Sequence, residues 1–99
     1  MEGFIATWED GVLRLSGELD LATDDCLLAA FRSGSNQGSD VILDLSELEF
    51  IGSTGIQAFL TIANEASPRG LVLRSPRPAV RKVIDLTRLE DEARIRVDD

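Results

Sequence analysis

The chain has 99 residues, enough for one hydrophobic core and too few for a second, so a single domain over residues 1–99 is expected. Its formal net charge of −8 is opposite in sign to what a nucleic-acid binder needs to displace counterions. The absence of histidine and the presence of one cysteine exclude Ser-His-Asp and Cys-His catalysis, an internal disulfide and the usual Cys/His metal spacings.

The opening segment "GFIATWEDGVLRLSGEL" reads as two short strands, Gly3 to Trp8 and Val12 to Leu15. They meet at Glu9-Asp10-Gly11, and an Asp-Gly pair between β-prone runs is a hairpin signal. In "LATDDCLLAAFRSG" the period becomes helical. Ala22, Cys26, Ala29 and Ala30 recur at that spacing with Leu27 and Phe31 beside them, Thr23 and Asp24 stand at the start, and Gly34 closes the end. Cys26 lies among apolar residues and reads as a buried, inert thiol. "SGSNQGS" is a polar loop.

The run Val41 to Leu43, ending at Asp44-Leu45, suits a strand of a parallel sheet covered by helices. After "FIGSTG" comes the most helical segment, with Ile56, Phe59, Leu60 and Ala63 on one stripe, extended by Ile62 and Ala66. Pro68 and Gly70 end it, and "LVLR" returns to strand. "SPRPAVRKVIDLTRL" places prolines at a helix start and Val80, Val83, Ile84 and Leu86 along a face. "ARIRV" fits either a last strand or an extended tail. Strands alternating with helices after a hairpin imply an α/β domain with a mixed sheet.

Charge is uneven: through Pro68 there are 12 acidic and 2 basic residues, and from Arg69 onward 8 basic and 6 acidic. The cluster Arg69, Arg74, Arg77, Arg81 and Lys82 reads as a solvated turn and helix or as a contact for an acidic partner. The acidic body favours a partner with a basic docking face. No run approaches the roughly 20 apolar residues of a membrane span, and the N-terminus lacks the basic start and apolar core of a signal peptide. A cytoplasmic protein is therefore expected.

"FIGSTGI", Phe50 to Ile56, sets Ser53 and Thr54 between Gly52 and Gly55 at a strand-to-helix junction. Hydroxyls there can cap a helix, act as nucleophiles, cradle phosphate or accept a phosphate from another protein. The segment lacks the G-x-S-x-G spacing of a nucleophile elbow and the lysine of a phosphate-binding loop, since Lys82 is far downstream. No catalytic constellation and no cofactor motif is found, so an enzyme is not expected. Taken alone, the pair reads as a helix cap worth about 1 kcal/mol.

Three blocks, "LSGELDLAT", "VILDLSELEFIGSTGI" and "SPRPAVRKVIDLTRL", together resemble the signature blocks of STAS domains, the anti-anti-sigma factors, collinearly over nearly the whole chain. The resemblance implies a single STAS-like α/β domain, a mixed sheet of four to five strands with helices packed on it. It also implies an anti-sigma factor antagonist that binds a serine/threonine-kinase anti-sigma factor and releases its sigma factor.

In that family the kinase phosphorylates the hydroxyl directly before the glycine of the central helix, which falls on Thr54, with Ser53 as second choice and cap. The modification breaks the complex, and a phosphatase reverses it. Asp20 matches a partner-contacting aspartate of the family, although it also reads as a turn residue; Leu21 and Thr23 flank it. The expected partner surface is thus Asp20, Leu21, Thr23, Gly52, Ser53, Thr54 and Gly55, with Gly55 keeping the surface low for a kinase cleft. No metal, cofactor, membrane or nucleic acid is implied, and a monomer is expected.

Two departures stand out. Gly52 replaces a frequent aspartate and admits a positive φ that would reshape the loop. Arg88 replaces a frequent glycine at a helix end. The first keeps an alternative open, a STAS scaffold or docking module that is never phosphorylated. Asp44 is read as either supporting the hydroxyl loop or facing solvent.

Overall fold

Asp10 and Gly11 adopt φ of 52° and 81°, the left-handed pair that a two-residue type I′ hairpin requires. They join β1 (Phe4–Glu9) to β2 (Val12–Leu19), paired antiparallel from Phe4↔Gly17 to Glu9↔Val12. In this computed structural model, which describes residues 3–34 and 39–99, the chain continues through α1 (Asp24–Ser33), β3 (Val41–Ile51), α2 (Ser53–Ala66), β4 (Leu71–Arg74), α3 (Pro78–Leu86), a 3-10 turn (Leu89–Asp91) and β5 (Ile95–Asp98). The sheet order is β1-β2-β3-β4-β5, and every pair after the hairpin is parallel. The expected mixed sheet has five strands, and "ARIRV" contributes the last. Most of the expected polar loop, residues 35–38, lies outside the described residues. No described helix is long and apolar enough to cross a membrane.

The sheet has two unlike faces. Leu13, Leu43 and Leu73 stand in register across β2, β3 and β4, and join Leu27 and Phe31 of α1, Ile56, Phe59 and Ile62 of α2, and Val80 and Ile84 of α3 in one buried cluster. Burying a leucine or phenylalanine contributes about 1.5–3 kcal/mol, so this cluster carries the stability. On the other face Arg14, Asp44, Arg74 and Asp98 form a row of alternating charge, one per strand. Val72 is only 3% exposed yet lies outside the cluster, in a row with Val12 and Ile42.

Asp44 is mid-strand and accepts the Ser46 N–H at 2.9 Å; it does not support the Ser53–Thr54 loop. Partial burial pushes its carboxyl up, but hydrogen bonding to Ser46 and the guanidiniums of Arg14 and Arg74 outweigh that and hold it below the ordinary range.

α1 turns a different side inward from the expected alanine and cysteine stripe. Leu27 and Phe31 are buried and Ala30 of the expected stripe is half-buried against the core, whereas Ala22, Cys26 and Ala29 are exposed. Both sets recur at i, i+4, and the larger side chains remove more apolar area from water, so they take the core side. Thr23 sits at the N-cap without a side-chain capping bond. Gly34 is needed for space: a Cβ there would lie 1.8 Å from Trp8 Nε1, and that indole N–H donates to the Ala30 carbonyl at 2.8 Å. Arg32 makes a two-pronged bond to Glu65, tying α1 to α2.

The basic cluster expected around Arg69 to Lys82 is largely engaged internally. Arg69 Nε donates to the Ala66 carbonyl, Arg77 Nε to the Ser46 carbonyl, and Arg81 faces Asp85, Glu90 and Asp99. Pro78 opens α3 at a position where its missing N–H costs nothing. Val80 and Ile84 are buried there, but Leu86 is exposed. Arg88 has φ of 57°, which explains why glycine suits this helix end; its guanidinium bonds Asp91 at 2.8 Å.

β3 runs well past the expected Leu45. Its inward residues are Val41, Leu43, Leu45, Leu48 and Ile51, a spacing that lengthens from two to three. Two register shifts against β2 account for it, between Arg14 and Ser16 and between Gly17 and Glu18, where β3 supplies an extra residue each time. Strict alternation would have turned Glu47 and Glu49 into the core. The bulges turn them out and Leu48 in, while Phe50 stays on the outer side.

Candidate functional site

The long β3 delivers the Ser53–Thr54 pair beside the end of β2. The Gly52 N–H donates to the Leu19 carbonyl at 2.8 Å, so the first block of the sequence signature, at Leu19–Thr23, abuts the second, at Gly52–Gly55. Sequence spacing alone does not place one block against the other, because the contact depends on the parallel pairing of β2 with β3.

Asp20 and Thr23 clamp the turn between β2 and α1. The Asp20 N–H donates to Thr23 Oγ1 at 2.9 Å, the Thr23 hydroxyl donates to the Glu18 carbonyl at 2.9 Å, and Asp20 Oδ1 accepts the Ala22 N–H at 3.0 Å. The turn reading of Asp20 is thus realised in the structure, and the Thr23 hydroxyl is used inside the turn. At its tip Leu21 is 80% exposed.

Gly52, rather than Ser53, occupies the N-cap of α2, with φ −91° and ψ 176° and no side-chain capping bond. The expected serine cap and the left-handed glycine are both corrected. Gly55 and Ile56 donate to the Gly52 carbonyl at 3.0 and 3.4 Å. The N–H groups of Ser53 and Thr54 precede these bonds and are the orphan donors of the helix start. Ser53 is exposed and Thr54 half-buried, and among the described residues neither hydroxyl is engaged in a hydrogen bond with another group. Two unengaged hydroxyls thus stand beside orphan amides and the positive end of a helix dipole, an arrangement that stabilises an added anion.

Gly55 faces inward. It is buried, and a Cβ there would lie 2.7 Å from Ile51 Cγ1 and 3.1 Å from Leu19 Cγ. Its glycine therefore serves close helix–strand approach, a role that the expected surface-lowering does not describe. A Cβ at Gly52, by contrast, would make ordinary contacts, the nearest being Phe50 Cε2 at 3.7 Å. Gly52→Asp therefore fits, and its carboxylate can accept an amide of the first turn. We expect this variant to be more stable by about 0.5–1 kcal/mol, read as a rise of a few degrees in thermal unfolding; an unchanged or lower midpoint would contradict the geometry.

Phe50, 50% exposed, stands beside this junction, its Cε2 3.7 Å from a Cβ placed on Gly52, and the residue pattern does not single it out. Strict alternation from Val41 already sets it on the outer side, and the two bulges keep it there.

A family model for the STAS domain, described as "Mlab, STAS domain", matches residues 4–97. The chain belongs to the STAS domain family. Solved STAS structures share its fold. An anti-sigma factor antagonist from Mycobacterium paratuberculosis is 28% identical, with a TM-score of 0.72 over 94% of this chain and 83% of that one. A candidate anti-sigma factor antagonist from Thermotoga maritima is 25% identical, with a TM-score of 0.74 over 97% and 86%. The anti-sigma factor antagonist SpoIIAA in its unphosphorylated form, 24% identical, gives a TM-score of 0.72 over 98% and 89% and supports the fold. No curated protein matches the sequence.

Proposed function

We propose that this STAS domain is an anti-sigma factor antagonist. It binds a serine/threonine-kinase anti-sigma factor in the cytoplasm, releases the sigma factor, and is switched off by phosphorylation of Thr54, with Ser53 as the second acceptor. The observation that carries this reading is the pair of unengaged hydroxyls at the start of α2, held against the Asp20 turn by the Gly52–Leu19 hydrogen bond. The antagonist neighbours support the general role.

In the switching step Thr54 Oγ1 attacks the γ-phosphorus of ATP held by the kinase. The bond to the bridging oxygen breaks, ADP leaves, and the hydroxyl proton passes to a base on the kinase. The domain itself acts as substrate and ligand rather than as an enzyme, a phosphatase resets it, and it works as a monomer. The dianion gained, about −1.5 to −2 at pH 7, is stabilised by the helix start while opposing an apposed surface.

The test is incubation with ATP and each kinase-fold anti-sigma factor of the source organism, with mass-spectrometric mapping. We expect one phosphate on Thr54, lost in Thr54→Ala. A phosphate on Ser53 keeps the mechanism and moves the acceptor. Tight binding without any phosphate favours the second reading, an unswitched STAS docking module. The half-burial of Thr54 and the missing carboxylate at Gly52 favour that reading.

A further inference from the structure

Four large apolar side chains are strongly exposed among the described residues: Ile5 (64%), Leu21, Phe50 and Leu86 (72%). Scattered singly, such residues need no explanation. Three of these four gather at one end of the sheet. Leu21 tips the Asp20 turn, and the Phe50 ring lies beside Gly52, its Cε2 3.7 Å from where a Cβ on Gly52 would stand. Ile5 pairs with Ser16, two positions along β2 from Glu18, which pairs with Phe50. Ile5 and Phe50 thus flank β2 on the face that carries no helix.

Beside Ile5 lies an open recess of about 450 Å³, lined also by Ser16 and Gly17, whose charged lining is Glu18 and Glu49. Glu47 pairs with Ser16 on the same side. Arg14, the nearest cation along β2, is turned into the charge row and faces Asp44 at 3.6 Å and Glu9 at 3.8 Å. Elsewhere on this face the apolar row Val12, Ile42 and Val72 is bordered by that charge row. The apolar exposure and the uncompensated acidity therefore coincide at one place.

We infer that the partner surface of this domain extends from the start of α2 over the helix-free face, with Phe50 and Ile5 as apolar anchors and Glu18, Glu47 and Glu49 as an acidic rim. Its occupant is a protein surface with apolar recesses bordered by lysine and arginine. This rests on the proposed antagonist function and names the surface through which it acts. The area argument points the same way. A stable complex buries about 800 Å² on each side, more than one helix start and one tight turn present. Anchors at the centre with charges at the rim would divide the labour, the apolar groups setting residence time and the carboxylates steering the encounter. Phosphorylation at Thr54 then acts at the margin of a larger contact.

The probe is each purified kinase-fold anti-sigma factor of the source organism, measured by surface plasmon resonance against the full chain. Phe50→Ala and Ile5→Ser should each raise Kd about tenfold, mainly through faster dissociation. Glu18→Lys with Glu49→Lys should slow association and flatten its dependence on salt. Leu86→Ser, on α3, serves as the control and should bind as the unaltered chain does. Thermal unfolding of each variant checks that the fold is intact. If Phe50→Ala and Ile5→Ser bind normally while Thr54→Glu is weakened, the extended surface is wrong and the switch stands. If the anchors matter and Thr54→Glu does not, the surface stands and the switch fails. Binding to none of the probes overturns both.

Discussion

Thr54→Glu is expected to leave the domain folded and cooperative while weakening anti-sigma partner binding about a hundredfold, equivalent to roughly 3 kcal/mol. The two halves of this expectation have separate physical causes. Folding tolerates the carboxylate because residue 54 lies in the first turn of α2, where negative charge interacts favourably with the helix dipole. Its side chain is half-buried without a hydrogen-bond partner among the described residues, so the substitution removes no polar contact. Binding suffers because the new charge is desolvated against a partner selected for an acidic surface and for a neutral hydroxyl at this point. Calorimetry of the complex together with thermal unfolding of the free chain separates the effects. Unchanged affinity would contradict the electrostatic switch, and a lost unfolding transition would mean that residue 54 is structural.

Gly55→Ala is expected to destabilise the domain by about 1–3 kcal/mol, although helix propensity alone predicts the reverse. Alanine is favoured over glycine inside a helix by about 1 kcal/mol. Here the added methyl meets Ile51 Cγ1 at 2.7 Å and the fully buried Leu19 at 3.1 Å. These are branch atoms near the backbone, so neither can swing aside as the end of a long side chain would, and relief requires α2 to lift from β2 and β3. Overpacking therefore outweighs propensity. Urea unfolding should show a lower midpoint with an unchanged slope. The same lift would disturb the Gly52–Leu19 contact, so partner binding should fall as well. A variant as stable as the parent would show that the helix start is looser than its geometry implies.

Elements with strong local chemistry are legible in the amino-acid sequence itself. The Asp10-Gly11 hairpin, the stripe of α2, the strand "LVLR" and the proline-led α3 each follow from one residue pattern. The misread features depend on competition between neighbours. In α1 two stripes share one spacing, and only the volumes of Leu27 and Phe31 set against Cys26 and the alanines decide which turns inward. At the start of α2 serine is the better capping residue, yet the strand continues to Ile51 and puts Gly52 at the cap, moving both hydroxyls one step into the helix. The inward role of Gly55 needs the third dimension, since Leu19 is 36 positions away in sequence. The bulges of β3 are hidden because strict alternation, the only pattern readable without a partner strand, says nothing about them.

Those two bulges have a consequence for how freely this segment can be varied. An ordinary strand commits every second residue to packing. Between Leu45 and Ile51 only Leu48 is so committed, which leaves Ser46, Glu47, Glu49 and Phe50 directed outward. The segment that leads into the helix thus shows a partner far more side chains than it gives to the interior. Substitutions there can change what the surface recognises without disturbing the residues that hold the helix in place, so partner specificity can be altered without retuning the core.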